Sequence, residues 1–294
     1  MSPPTAFAPA KVNLYLHVGA LEADGRHPLS SLMVFADVGD RLTTRPADSI
    51  GLEITGPFAE GLGAGDDNLV MRAAKAILGR TRGPRAPFHL VLTKALPVAA
   101  GLGGGSSDAG AALRLLRETL EARLSDTELE AIAGELGSDG PACVFARSVI
   151  AEGRGERLRP APAFPVLDAV LVNPRAASPT GAVYGRFDDA GAVGGAEGPN
   201  LPERFETAEE MAGFLATCRN DLEAPAASLT PLIGEVLDVL RGEPETLLGR
   251  LSGSGATCFA LCAGDIEAEG LAERLERMRP DWWVKRCRLG GDWI

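Results

Sequence analysis

The chain has 294 residues, of which 45% are hydrophobic and 23% charged, an ordinary globular composition with length enough for two domains. Its formal net charge of −11 has the wrong sign for binding nucleic acid through phosphates, so we expect no nucleic-acid partner. The five scattered cysteines and three histidines supply no zinc spacing, which predicts free, buried thiols in a reducing compartment. No stretch approaches the roughly 20 apolar residues of a membrane span, and the amino terminus lacks the basic start of a signal peptide. We therefore expect a cytoplasmic protein with no membrane partner.

The first predicted element is a β-strand at residues 12–18, where apolar and polar residues alternate as they do on a half-buried strand. The alternation places Lys11 and Asn13 on the same face. Residues 23–28 have the composition of a turn or loop. Two further strands are expected at residues 50–54 and 88–93.

Two helices follow, each with a recognisable end signal. The first begins near residues 106–108 and carries an apolar stripe. The second opens with a capping box, since Glu128 lies three residues after Ser125. It is predicted to end at Gly137 in a left-handed conformation, which leaves residues 138–141 as an exposed turn.

Beyond about residue 153 the pattern of strands and helices starts again. Strands are predicted at residues 167–172, 256–262 and 283–288, and helices at residues 232–240 and 266–278. Residues 188–202, rich in glycine and alanine, are predicted to form a mobile surface loop. Because strands and helices alternate without strict βαβ regularity, we predict an α+β fold with two domains.

A glycine-rich loop, residues 97–108 (PVAAGLGGGSSD), lies directly before a predicted helix. Small residues let a backbone approach an anion closely, and glycine permits the positive φ angles that turn successive N–H groups inward. The helix start adds free N–H groups and a partial positive charge. No GK[ST] follows and GxGxxG does not fit, so this is neither a Walker A loop nor a dinucleotide motif. We predict that it binds nucleotide phosphates; the alternative is a plain glycine turn.

Three segments, in order, resemble the motifs of the galactokinase, homoserine kinase, mevalonate kinase and phosphomevalonate kinase (GHMP) superfamily: residues 8–14, 97–108 and 251–256. Shorter motifs resemble the branch that phosphorylates 4-diphosphocytidyl-2-C-methyl-D-erythritol in non-mevalonate isoprenoid biosynthesis; they include residues 24–27, 38–40, 67–69, 137–139, 151–153, 179–180 and 220–221. The resemblance covers nearly the whole chain. It implies an ATP-binding and catalytic domain at residues 1–153, like domain 2 of ribosomal protein S5. A ferredoxin-like, substrate-binding domain is implied at residues 154–294.

The resemblance further implies an ATP-dependent kinase that acts on the 2-hydroxyl group of this cytidylyl-diphosphate sugar alcohol, with ATP and Mg²⁺ as cofactors. Asp139 matches the family's catalytic aspartate, which takes the proton from the acceptor hydroxyl, and Lys11 matches the lysine beside it. By analogy Ser107 contacts the metal, although no full ligand set is assigned. Expected ATP contacts are Asn68, Pro97, Ala99, Gly101, Leu102, Gly103, Gly104, Gly105, Ser106 and Ser107. From the residues alone, an ordinary turn position for Asp139 and a solvated strand-end position for Lys11 stay open.

The substrate side is expected to comprise Asn13, Arg26, His27, Asp139 and Tyr184. The family usually has a tyrosine at the position of Arg26, where it stacks on cytosine; a guanidinium can also stack through its flat face. Tyr184 would lie on the other side of the base and His27 at its polar edge. Two alternatives remain: another GHMP kinase, such as homoserine or mevalonate kinase, and a non-catalytic nucleotide-binding regulatory protein.

Overall fold

The computed structural model of the chain describes residues 3–81, 87–191 and 195–294. Residues 192–194, part of the predicted surface loop, lie outside the described residues. The amino-terminal half is built on two long antiparallel strands, β1 (Thr5–Val18) and β2 (Leu29–Pro46). Its other elements, in chain order, are β3 (Gly51–Thr55), α1 (Leu69–Arg80), β4 (Phe88–Thr93), α2 (Gly104–Thr119), α3 (Asp126–Leu136), α4 (Gly140–Phe145), β5 (Val149–Gly153) and β6 (Arg157–Pro160). β4 and β5 both pair with β2, because that strand is long enough to take a partner along each part of its length.

In the carboxyl-terminal half, the described residues form four antiparallel strands with helices packed against them. Its elements are β7 (Leu167–Asn173), α5 (Thr180–Asp189), α6 (Ala208–Ala216), α7 (Glu223–Leu229), α8 (Pro231–Gly242), β8 (Thr246–Leu251), β9 (Cys258–Cys262), α9 (Asp265–Met278) and β10 (Trp283–Leu289). The strand order is β10-β7-β9-β8. Pairing of Leu289 with Ala36 joins β10 to β2 and makes the two sheets continuous. The α+β fold class is confirmed.

The two halves share a core. One cluster of buried side chains contains Tyr15 and Leu32 from the first half and Leu171 and Phe259 from the second. Fully burying a large apolar side chain contributes about 1.5–3 kcal/mol, so this shared cluster holds the halves together strongly. The division of the chain at residue 153 stays a prediction.

The end of α3 differs from the expectation. The capping box is present, since the Glu128 amide donates to Ser125 Oγ (3.3 Å) and the Ser125 amide donates to the Glu128 carboxylate (2.8 Å). Gly137, however, is extended with φ 179°, so the predicted left-handed end is wrong. The chain enters α4 almost at once, and its first residue, Gly140, is buried rather than part of an exposed turn.

Two predictions from composition can be compared with the structure. All five cysteines are free and buried, as predicted. Within the described ranges, no helix combines the length and apolar character needed to cross a bilayer.

Candidate active site

A cleft of about 650 Å³ brings together β1, the glycine-rich loop, the turn before α4 and the start of α5. Most of the residues predicted for the site line it: Lys11, Asn13, Asn68, Pro97, Ala99, Gly101, Gly103, Gly104, Gly105, Ser106, Asp139 and Tyr184. Four predicted residues lie outside this lining: Arg26, His27, Leu102 and Ser107. The three segments singled out in the sequence therefore meet at one place.

The glycine-rich loop is hydrogen bonded to the third motif, residues 251–256, and to the residue that follows it. Ser252 Oγ donates to the Gly101 carbonyl (2.9 Å), and the Thr257 amide donates to the Ala100 carbonyl (3.0 Å). A Cβ on Gly101 would lie 2.2 Å from the Ser252 carbonyl oxygen, so only glycine permits this approach.

Gly103 ends the loop in a left-handed conformation (φ 62°) and serves as the N-cap of α2. It has no side chain to cap the helix, so the first N–H groups of α2 remain available at the cleft. A helix start of this kind can bind a phosphate in an acidic protein because backbone groups supply the positive end.

Lys11 and Asp139 form an ion pair beside this helix start. The distance from Lys11 Nζ to Asp139 Oδ2 is 3.3 Å; the lysine is buried, whereas the aspartate is 30% exposed toward the cleft. A Cβ on Gly103 would lie 3.1 Å from Lys11 Cε and 3.6 Å from Asp139 Oδ2. The solvated strand-end position for Lys11 is therefore wrong. Asp139 begins α4 without making a side-chain capping bond, so its carboxylate is not used to hold the turn.

Asn13 orients the lysine. Its Oδ1 accepts a hydrogen bond from Lys11 Nζ (2.7 Å), and its Nδ2 donates to Ser31 Oγ (2.7 Å). Ser31 in turn donates to the Tyr15 carbonyl (2.6 Å). This chain fixes the amide with its oxygen toward Lys11, which keeps the ammonium group between Asn13 and Asp139.

Two of the predicted contacts, Asn68 and Leu102, have structural tasks of their own, and a third, Ser107, is buried. Asn68 caps α1, since its Oδ1 accepts from the Val70 amide (2.9 Å) and its Nδ2 donates to the Gly63 carbonyl (2.9 Å). The Leu102 side chain is buried, and its carbonyl accepts from the Lys11 amide (2.8 Å). Ser107 is fully buried inside α2, and its hydroxyl has no hydrogen-bond partner of good geometry among the described residues.

A buried triad that the sequence did not predict lies under the start of α2. Lys94 Nζ donates to Asp108 Oδ2 (2.7 Å) and to Asp40, whose other oxygen accepts from the Ala95 (2.6 Å) and Leu96 (2.9 Å) amides. Burial opposes the charge on Lys94, but the two carboxylates outweigh it and raise its pKa. Burial raises the pKa of Asp108 to about 8 despite the attraction of Lys94. Asp40 belongs to the family motif at residues 38–40, but no sequence pattern near it or near Lys94 indicated that the two residues form an ion pair.

The titration of Asp108 predicts a pH-dependent stability. Its carboxyl group keeps a proton to about pH 8 in the folded protein but loses it near pH 3.8 when unfolded. Between these values the unfolded chain binds fewer protons, so the free energy of unfolding falls with rising pH, by at most about 1.4 kcal/mol per pH unit. We expect Asp108→Asn to remove this slope in urea unfolding between about pH 5 and about pH 8. Asp238→Asn, an exposed change on α8, should keep it, and identical slopes for Asp108→Asn and wild type would contradict the prediction.

Tyr184 of α5 also lines the cleft. Its ring lies 5.0 Å from the His27 ring, centroid to centroid, with 35° between the planes. Burial raises the pKa of Tyr184 to about 12, and the Asp139 carboxylate adds to the effect. Both His27 nitrogens have neighbours, Nδ1 the Gly19 carbonyl (2.9 Å) and Nε2 the Asp188 carboxylate (3.5 Å).

Arg26 differs from the expectation in position. Its side chain is exposed and does not line the cleft, while its backbone amide donates to Asp24 Oδ1 (3.2 Å). The structure therefore brings Tyr184 and His27 together and leaves Arg26 outside the cleft lining. A stacking role for Arg26 stays a prediction.

Thr180, Ser254 and Arg154 also line the cleft, although none was predicted as a site residue. Thr180 Oγ1 and Ser254 Oγ are hydrogen bonded (2.9 Å), and Ser178 Oγ donates to the Ser254 carbonyl (2.6 Å). Arg154, directly after β5, also lines the cleft. Thr180 belongs to the short family motif at residues 179–180, which could have indicated it as a site residue. Arg154 belongs to no motif, so nothing in the sequence indicated it.

Comparison with known proteins shows which family the chain belongs to. Residues 68–147 match the N-terminal domain of the GHMP kinases and residues 200–281 their C-terminal domain. A 4-diphosphocytidyl-2-C-methyl-D-erythritol kinase from Caulobacter vibrioides (strain NA1000 / CB15N) is 66% identical and covers 97% of this chain and 99% of its own length. The same kinase from Hyphomonas neptunium (strain ATCC 15444) is 46% identical, with 97% of this chain and 96% of its own covered.

Solved structures agree with the sequence relatives. A crystal structure of 4-(cytidine 5'-diphospho)-2C-methyl-D-erythritol kinase superposes with a TM-score of 0.78 at 36% identity, covering 98% of this chain and 99% of that one. Mevalonate kinase from Methanococcus jannaschii has a TM-score of 0.73 at 13% identity, with 99% of each chain covered, and shows the common fold. The chain therefore belongs to the 4-diphosphocytidyl-2-C-methyl-D-erythritol kinase family of the GHMP kinases.

Proposed function

We propose that this protein transfers the γ-phosphate of ATP to the 2-hydroxyl group of 4-diphosphocytidyl-2-C-methyl-D-erythritol, as a cytoplasmic step of non-mevalonate isoprenoid biosynthesis. The observation that carries the proposal is the 66% identity to such a kinase over 97% of the chain. The geometry supports it, because a lysine–aspartate pair lies beside a helix start that can hold phosphates. The acidic net charge favours a small molecule over nucleic acid as the partner.

In the proposed reaction Asp139 takes the proton of the 2-hydroxyl group. The hydroxyl oxygen forms a bond to the γ-phosphorus while the bond to the bridging oxygen breaks, and ADP leaves with that electron pair. Lys11, oriented by Asn13, stabilises the negative charge of the Asp139 carboxylate and that of the transferred phosphoryl group. Phosphoryl transfer depends mostly on positioning and charge stabilisation, which a fixed lysine and helix N–H groups supply.

The residues fit a magnesium ion that is held largely by the nucleotide. Proteins bind Mg²⁺ through one or two carboxylates together with substrate phosphates. Among the described residues no group of three or more His, Cys, Asp or Glu side chains forms a protein cage, but Asp139 lines the cleft with its carboxylate 30% exposed. Asp139 and Ser106 are the donors we propose; when bound, the ion neutralises phosphate charge. Ser107 is buried away from the cleft lining.

The direct test is a phosphotransfer assay on the purified protein, in which ADP formation is measured with each acceptor. We expect turnover with 4-diphosphocytidyl-2-C-methyl-D-erythritol and none with homoserine or mevalonate. Turnover with one of the latter alone would identify another GHMP kinase. Nucleotide binding without turnover of any acceptor would identify a non-catalytic protein.

Tyr184 is expected to stack on the cytosine ring, which predicts a loss confined to one substrate. Base–aromatic stacking contributes about 1–3 kcal/mol, so Tyr184→Ala should raise the KM of the cytidylyl substrate roughly 5- to 150-fold. The KM of ATP should hardly change. Tyr184→Phe keeps the ring and should behave like wild type. Arg26→Tyr, which restores the family's usual residue, should retain activity.

Steady-state kinetics with each substrate varied in turn measures both constants. An effect of Tyr184→Ala on ATP rather than on the acceptor would contradict the cytosine contact. Loss of turnover in Arg26→Tyr would contradict the expected position of the base. Neither result would affect the kinase assignment itself.

A further inference from the structure

Among the described residues, five with ionisable side chains line the cleft, and the two lysines have carboxyl partners within it or directly behind it. Lys11 faces Asp139, and Lys94 faces Asp108 and Asp40. Neither lysine therefore offers an uncompensated positive charge. The fifth residue, Arg154, differs, because its carboxylate partners, Glu22 and Asp24, lie outside the lining.

Arg154 lies at the end of the cleft where the acceptor hydroxyl must be. The next residue, Gly155, packs against the turn that carries the base: a Cβ on it would lie 3.6 Å from the Ser138 carbonyl oxygen. Asp139 follows Ser138, and Tyr184 lines the same cleft. The nucleotide phosphates have the helix start of α2, whereas the acceptor end has Arg154 as its available cation among the described lining residues.

The ion pairs of Arg154 are weak enough to exchange. The arginine side chain is 41% exposed, and those of Glu22 and Asp24 are 51% and 40% exposed. Water screens such pairs, so they contribute little to stability. A diphosphate offers more negative charge and paired oxygens that match the forked guanidinium, which makes it the stronger partner.

We infer that Arg154 binds the diphosphate group of the acceptor and gives up its ion pairs with Glu22 and Asp24 to do so. The inference rests on the proposed function, since it needs an acceptor that carries a diphosphate. It assigns Arg154 to substrate specificity: homoserine and mevalonate carry no diphosphate for it to bind. Arg154 does not touch the reacting atoms, so its effect belongs to acceptor affinity.

The first test compares Arg154→Gln with wild type in steady-state kinetics. Hydrogen bonds to a charged group are worth enough that the acceptor KM should rise about 10- to 150-fold. The KM of ATP and the kcat at saturating acceptor should stay near wild type. Arg159→Gln is the matched control, because Arg159 is 49% exposed, close to the 41% of Arg154, and pairs with Glu152 (3.3 Å) outside the cleft lining. An unchanged acceptor KM in Arg154→Gln would overturn the inference.

A second variant distinguishes binding of the diphosphate by Arg154 from a role of Arg154 in anchoring the loop that carries His27. If Arg154 only tethers the loop that carries His27, the double change Glu22→Gln with Asp24→Asn removes the same tether and must weaken the acceptor equally. If Arg154 binds the diphosphate, this double change frees it, so the acceptor KM should stay the same or fall. A rise matching that of Arg154→Gln would overturn the inference in favour of the tether.

A binding measurement makes the result independent of turnover. Cytidine 5′-diphosphate and cytidine are titrated calorimetrically into the protein, with the nucleotide site saturated by a non-hydrolysable ATP analogue. The dissociation constant of cytidine divided by that of cytidine 5′-diphosphate measures how much the diphosphate contributes to binding. This ratio should fall about 10-fold or more in Arg154→Gln. An unchanged ratio would overturn the role of Arg154, whereas failure of the wild type to phosphorylate the cytidylyl substrate would contradict the proposed function instead.

Discussion

Replacement of Asp139 by asparagine is expected to lower kcat by about 10²–10⁴, the range that removal of a general base produces. The amide keeps the size and much of the hydrogen bonding of the carboxylate but cannot accept the proton of the acceptor. The KM of ATP should change little, because the glycine-rich loop and the start of α2 are intact. The fold should also persist, since Asp139 makes no side-chain capping bond to α4 and Lys11 keeps its hydrogen bond to Asn13.

The matched control is Asp238→Asn, which makes the same chemical change on the exposed surface of α8. It should leave both kcat and KM at wild-type values. Single-turnover kinetics at saturating ATP and acceptor measures the chemical step directly. A near-normal rate in Asp139→Asn would remove this residue from the role of base and leave Lys11 and the helix start as the catalytic groups.

The parts of the site that could be predicted from the sequence are those whose residues are adjacent in the chain. The glycine-rich loop and the helix that follows are adjacent in the chain, so composition and order sufficed to predict an anion site. The strand that carries Lys11 and Asn13 was predicted from the alternation at residues 12–18, and the structure confirms a strand over Thr5–Val18. Its predicted half-buried character is wrong, because every residue from Ala8 to Val18 is buried. The family resemblance then connected this strand to Asp139, a pairing that spacing alone could not supply.

The parts that escaped prediction depend on contacts between distant segments. Lys94 meets Asp40 from 54 positions away, and nothing near either residue marks a buried ion pair. The long strand β2 was missed because its centre is buried on both faces, which removes the alternation that identifies a strand. Gly137 followed a local rule for helix ends, but the start of α4 three residues later imposed an extended backbone instead.

Arg26 illustrates a different limit. The motif around it places the residue next to the expected base, yet the side chain is exposed outside the cleft lining. A motif fixes the path of the backbone more firmly than the direction of a long, flexible side chain, because the direction depends on which partners compete for it. Arg154, which no motif marked, is the arginine that lines the cleft.

The glycine-rich loop gives the second large expected effect. Gly103→Val should abolish measurable nucleotide binding while the protein stays folded. Valine at a φ of 62° is strained, and its Cβ would lie 3.1 Å from Lys11 Cε, at the edge of what packing allows. Calorimetric titration with a non-hydrolysable ATP analogue measures the affinity, and thermal unfolding checks the fold. Gly213→Val adds the same side chain where nothing lies within 4 Å and should leave nucleotide affinity unchanged.

A companion variant, Gly104→Val, distinguishes strain from blocked access. Gly104 is the first residue of α2 and is free of the positive φ that Gly103 has, so valine there adds little backbone strain. Its Cβ would lie 3.4 Å from Lys94 Nζ, and the branched side chain would extend over the N–H groups that we expect to hold the phosphates. If access of the anion to these groups is what matters, both variants lose nucleotide affinity. If only the strained turn at Gly103 matters, Gly104→Val binds normally, and the helix start is then not the phosphate site.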